Sequence, residues 1–149
     1  MSLLEDHLKW LNLHKEATLE PERPIVDPHH HFWPGEQHYL LEDLWLDTHS
    51  GHNIKKTVFI ECSQEFLKTG DKDFAPVGET IFVKKISDEA RKEKHKTQIE
   101  GIVGHVNLLI GPEKTHEVLT SHLKEGGNLF KGIRHAGGWD HHSELSNSH

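Results

Sequence analysis

The densest chemistry in the sequence lies in Asp27-Pro28-His29-His30-His31-Phe32-Trp33. Imidazole is the commonest protein ligand for transition metals and the side chain that titrates closest to neutrality. His29 and His31 stand two apart, and on an extended strand such residues point to the same side. Their rings then converge on one point, which is what a divalent metal such as zinc asks of nitrogen ligands. His30 points the other way. Asp27, two residues earlier on the same side, is placed to orient a ligand imidazole through its ring N–H rather than to bind the ion itself. The plain alternative is three histidines marking a solvated strand end.

The geometry requires a strand, and four short apolar runs supply candidates: residues 24–33, 56–62, 99–108 and 129–135. The first three are continuous and β-branched rather than alternating, which predicts strands of a parallel sheet covered on both faces. Between the second and third, the segment 77–94 spaces Phe82, Ile86 and Ala90 four apart and ends in Lys and Arg, a helix by period and by dipole. Between the third and fourth, residues 111–127 start at Pro112 and stop at Gly126 and Gly127, with Val118, Leu119, His122 and Leu123 on one stripe. A short helix is expected at 40–46, and Leu4, Leu8 and Leu11 predict a leading amphipathic helix over 3–17. Pro21 and Pro24 end it and feed the first strand. Residues 1–23 therefore read as a helix and linker and 24–149 as an α/β unit of alternating strands and helices.

The chain has 149 residues, 34% apolar and 28% charged, with a formal charge of −7. That balance fits a globular domain and gives no electrostatic footprint for nucleic acid or anionic lipid. No apolar run reaches the length of a membrane span and the N-terminus is acidic where a secretory leader is basic, so a cytoplasmic protein is expected. The single cysteine, Cys62, closes an apolar run and is expected to pack rather than to react. Serine-elbow, P-loop, dinucleotide-binding and paired C-x-x-C motifs are all missing.

PIVDPHHHFW resembles the D-x-H-x-H-x-W opening strand of the amidohydrolase-related, TIM-barrel metal-dependent hydrolases. TVFIECSQEF, FAPVGETIFV, EGIVGHVNLLIG and FKGIRHAGGWD resemble, in order, later blocks of the branch containing L-fuconolactonase-like and 2-pyrone-4,6-dicarboxylate lactonase-like enzymes. The resemblance covers about residues 20–149 and implies a partial (β/α)8 barrel, its first four units, with the site at the C-terminal ends of the strands. Carried over by position, His29 and His31 match the metal-ligand pair, Asp27 the acidic residue that opens the motif, and Trp33 an aromatic wall of the pocket. Arg134 and His135 fall where the family places polar contacts. The guanidinium would grip a carboxylate or lactone carbonyl, or else sit in a structural ion pair. Glu61 and His105, at the ends of the second and third strands, are further substrate contacts or simply solvated polar groups.

A complete barrel needs about 250 residues, so the chain is expected to stop mid-barrel, as a partial sequence, a truncated product or a half-barrel that pairs with a second copy. The activity implied is metal-dependent hydrolysis of a small lactone or related bond. The ion is zinc before others, although members of this branch differ in whether they need one. Decarboxylation of an aromatic acid on the same fold, and non-catalytic binding of metal by a His-rich fragment, are the alternatives.

Overall fold

A computed structural model of the protein describes residues 3–14, 16–36 and 38–145. Four strands form one sheet: β1 (Pro24–His30), β2 (Asn53–Ile60), β3 (Gln98–His105) and β4 (Phe130–Arg134). They pair in the order β1-β2-β3-β4, and every pair is parallel. Parallel neighbours cannot be joined by a tight hairpin, so each connection must cross the sheet. The crossovers carry helices α2 (Leu41–Thr48), α3 (Val77–Ala90) and α4 (Pro112–Gly126), while α1 (Leu3–Leu11) precedes the sheet. Each strand joins the same advancing edge, with none of the reversal of order that marks a doubly wound sheet.

The helices define where the core lies. Phe59, Ile99 and Ile102 pack with Phe32 and Leu129 against Leu44 of α2 and Val83 of α3. A second cluster joins Val106 to Val77 of α3 and Val118 of α4. Burying each such side chain contributes roughly 1.5–3 kcal/mol, and polar pins fix the helices in register. The Trp45 indole N–H donates to the Thr97 carbonyl at 3.0 Å. The Ser87 hydroxyl donates to the carbonyl of Ile99 at 3.1 Å.

The expectation of strands covered on both faces needs correction. Burial alternates along β2, with Thr57 and Phe59 buried and Val58 and Ile60 only half-buried, and Val26 of β1 is 57% exposed. The helix-side residues are the buried ones, so the continuous apolar runs mark a sheet whose second face is covered less. The element boundaries also shift. The leading helix ends at Leu11 rather than 17: Asn12 is a weak helix former, and Leu13 is exposed with no apolar face to dock. Helix α3 stops at Ala90, its last buried residue, because Arg91 to Lys94 are exposed and charged and gain nothing from continuing. The third strand ends at His105, and residues 108–110 form a single tight helical turn capped by the Asn107 side chain.

Candidate active site

The C-terminal ends of the four strands frame a cleft of about 950 Å³, lined by His31, Trp33, Glu61, His105, Arg134 and His135 among others. Six residues singled out from the sequence are thus brought to one place. Asp27 and His29 do not line it, although His29 meets His31, which does.

A bulge shapes the end of β1. Asp27 pairs with Thr57 but His30 pairs with Phe59, so an extra residue is accommodated in β1. Pro28 has no N–H to lose to the ladder, and the Asp27 Oδ1 accepts the backbone N–H of His29 at 3.0 Å. The carboxylate therefore holds the backbone of the bulge, not the ring of a ligand histidine as its position suggested. Beyond the bulge the two imidazoles do converge. His29 Nε2 lies 3.2 Å from His31 Nε2, with the rings edge to face at 84°. For zinc–nitrogen bonds of about 2.0–2.1 Å, that spacing corresponds to an N–Zn–N angle of about 100°, close to tetrahedral. His31 Nδ1 donates to the Ile60 carbonyl at 2.7 Å, which fixes the ring and leaves the Nε2 lone pair facing His29. The pair thus offers two imidazole nitrogens to a divalent ion, with the Asp27 carboxylate turned to the His29 backbone.

His30 turns the opposite way, buried edge-on against Phe32 and Phe59. Neither of its ring nitrogens has a hydrogen-bond partner. Burial pulls its pKa down from 6.5 to about 4, although the nearby polar backbone of His31 and the Asp27 carboxylate act the other way. Trp33 flanks His31 at 5.8 Å, and its backbone pairs with Tyr39 on both sides, closing the loop at the cleft wall.

Glu61 and Arg134 form one unit across β2 and β4. Arg134 Nε donates to Glu61 Oε1 and an Nη to the Glu61 carbonyl, both at 2.6 Å. Glu61 is buried beneath the guanidinium, whose side chain is 41% exposed. The structural ion pair foreseen as one of two roles for Arg134 is present, and a partly open guanidinium still faces the cleft. Glu61 itself is spoken for and makes a poor direct substrate contact.

His105 and His135 sit with ring centroids 5.5 Å apart and nearly perpendicular. His105 Nδ1 must donate to its partner, the Arg134 carbonyl at 3.1 Å, so its Nε2 carries a lone pair. His135 Nδ1 must accept from its partner, the Leu108 N–H at 3.0 Å, so its Nε2 carries the proton. In their neutral forms the two neighbouring imidazoles are thereby held in opposite tautomers, one a hydrogen-bond acceptor at Nε2 and the other a donor.

Three groups escaped sequence reasoning. Glu79, buried on α3, accepts the N–H groups of Cys62 at 3.0 Å and Gln64 at 2.7 Å through Oε1, tying down the loop after β2. Burial pushes its carboxyl pKa up. Burial and this carboxyl together push the Cys62 thiol up to about 12, too high for a nucleophile near neutrality. His122 of α4, fully buried, bridges Thr80 Oγ1 at 2.8 Å and the His105 carbonyl at 3.0 Å, propping the end of β3. A charged or titratable residue interrupting an apolar helix stripe was the available signal for both. The third group, Asp140, His141 and His142, brings its ligand atoms within 4.8 Å of one another and could hold a metal ion; among the described residues it is the one such group of three. Its signal was the run Asp-His-His itself.

No family model, curated protein or solved structure matches the chain. Among the described residues, no helix is long and apolar enough to cross a membrane.

Proposed function

We propose that the cleft is the site of a metal-assisted hydrolase acting on a small lactone, carried on the first four units of a (β/α)8 barrel of the amidohydrolase-related kind. The observation that carries this reading is the 3.2 Å convergence of His29 and His31 Nε2 at the strand ends, beside the cleft. The unreversed order of parallel strands supports the barrel.

His29 and His31 would hold the ion, zinc by the tetrahedral fit, and when bound it supplies Lewis-acid polarisation of the scissile carbonyl. The chain's own residues do the rest. His105 Nε2 takes a proton from the attacking water, while its Nδ1–H stays anchored on the Arg134 carbonyl. The imidazolium formed on His105 returns that proton to the departing alkoxide oxygen as the ring opens, while His135 Nε2–H donates a hydrogen bond to the same oxygen. Arg134, steadied by Glu61, binds a carboxylate on the substrate, and Trp33 walls the pocket. The ordered block PVGETIFV favours a lactone over decarboxylation of an aromatic acid. The less covered sheet face suits association with a second copy, and the lone, unreactive Cys62 suits the cytoplasm.

One observation favours non-catalytic metal binding instead: among the described residues Glu61 is the carboxylate that lines the cleft, and it is engaged by Arg134 rather than placed as a base. Hydrolysis of carboxylated and sugar-derived lactones by the zinc-loaded chain separates the two. Turnover that falls by about 10²–10⁴ in His105→Ala, with zinc still bound, is expected of a general base. Zinc uptake without turnover on any lactone, or turnover indifferent to His105, overturns the hydrolase assignment.

A further inference from the structure

We propose that Asp140, His141 and His142 form a second divalent-metal site, distinct from the His29–His31 pair, which takes a borderline transition-metal ion, copper(II) first, rather than magnesium or calcium. It does not rest on the hydrolase reading.

The site is built in three consecutive residues after β4. Asp140 Oδ1 lies 2.8 Å from His142 Nδ1 and 3.7 Å from His141 Nδ1. With metal–ligand bonds of about 2.0–2.1 Å, adjacent donors stand about 2.9 Å apart at an octahedral angle and about 3.4 Å apart at a tetrahedral one. The two observed spacings bracket those values, so small side-chain rotations close three bonds on one ion. The imidazole centroids are 3.9 Å apart, and the three ligand atoms lie within 4.8 Å of one another.

The turn is also set before any ion arrives. The His142 backbone N–H donates to the same Asp140 oxygen at 2.8 Å. In the ion-free turn His142 Nδ1–H donates to the carboxylate. Moving that proton to Nε2 frees the lone pair for a metal without creating charge, since both tautomers are neutral. The side chains are 71% (His141), 65% (His142) and 42% (Asp140) exposed, so water completes the coordination.

The donor set decides the ion. Two imidazole nitrogens and one carboxylate oxygen suit copper, nickel and zinc, with copper favoured by the Irving–Williams order, whereas magnesium and calcium ask for oxygen alone. Among the described residues the other exposed histidines lack this combination: His95 has Glu93 at 3.7 Å but no second imidazole in the group.

The test is copper(II) titration of the full chain carrying His29→Ala and His31→Ala, read by calorimetry and by electron paramagnetic resonance. One equivalent per chain with the splitting of two nitrogen ligands is expected. Affinity should fall by more than about tenfold on adding either His141→Ala or His142→Ala, since even partners behind a ligand are worth about 10- to 100-fold. His95→Ala should leave it unchanged, and magnesium should not compete. Because the residues are exposed, the variants should keep the circular dichroism of the parent. The proposal is overturned if the parent takes up no stoichiometric copper, if uptake ignores His141 and His142, or if His95→Ala weakens it as much as they do.

Discussion

Replacing His30 by leucine should stabilise the metal-free protein, and more so in acid. Neither His30 ring nitrogen has a hydrogen-bond partner, and the ring lies in the core against Phe32 and Phe59. Each buried, unpaired polar atom costs about 1 kcal/mol or more. Leucine removes both but gives up the two edge-on aromatic contacts, worth together roughly 1 kcal/mol, so the net gain at pH 7 is about 1 kcal/mol. The larger effect is titration. The folded pKa of about 4 lies below the unfolded value of 6.5. Between those values the unfolded chain binds a proton that the native chain does not, so wild-type stability falls as the pH drops through that window. The full gap corresponds to about 3 kcal/mol, of which about 2 kcal/mol is lost between pH 7 and pH 5. Guanidinium unfolding of both proteins at the two pH values, with a chelator present, measures it. The advantage of His30→Leu should grow from about 1 to about 3 kcal/mol. An advantage that does not change with pH, or a variant less stable at both, would refute the placement of His30 as a buried, neutral and unpaired ring.

Two further substitutions probe the supports of the cleft. In Gly78→Ala, helix propensity favours alanine by about 1 kcal/mol, but the new Cβ would lie 2.4 Å from the Glu65 carbonyl oxygen and 2.6 Å from the Leu67 nitrogen, both backbone atoms. Overpacking of that kind costs roughly 1–3 kcal/mol, so the melting temperature should drop by a few degrees; a rise would mean the loop after β2 does not rest on α3. His122→Ala should cost roughly 3 kcal/mol in urea unfolding, combining a buried cavity with a Thr80 hydroxyl and a His105 carbonyl deprived of their partner. A loss below about 1 kcal/mol would argue against the prop it provides to β3.

Much of the frame was legible because it depends on local pattern. Four short apolar runs located the four strands, and Pro112 and Gly127 bracketed α4 to within a residue. The two-residue spacing anticipated that His29 meets His31 and that His30 turns away, although β1 ends at His30 rather than 33 and the pair forms past a bulge. What the sequence left hidden depends on contacts between distant segments. Nothing near Asp27 indicates that its carboxylate spends itself on the backbone of a bulge, because the bulge exists only in register with β2. The tautomers of His105 and His135 follow from a carbonyl 29 residues away and an amide 27 residues away. Glu79 looked like an ordinary first-turn carboxylate of a helix, and only the fold brings the amides of Cys62 and Gln64 to it.

The central claim is that His29 and His31 are a metal-ligand pair, and zinc stoichiometry tests it most directly. The measurement is equilibrium dialysis with metal analysis on the full chain carrying His141→Ala and His142→Ala, which removes the exposed cluster from the count. One zinc per chain is predicted, retained when His30 is also changed to leucine and lost when His29 and His31 are changed to alanine. Zinc that survives the loss of both, or that falls equally with His30, would contradict the account.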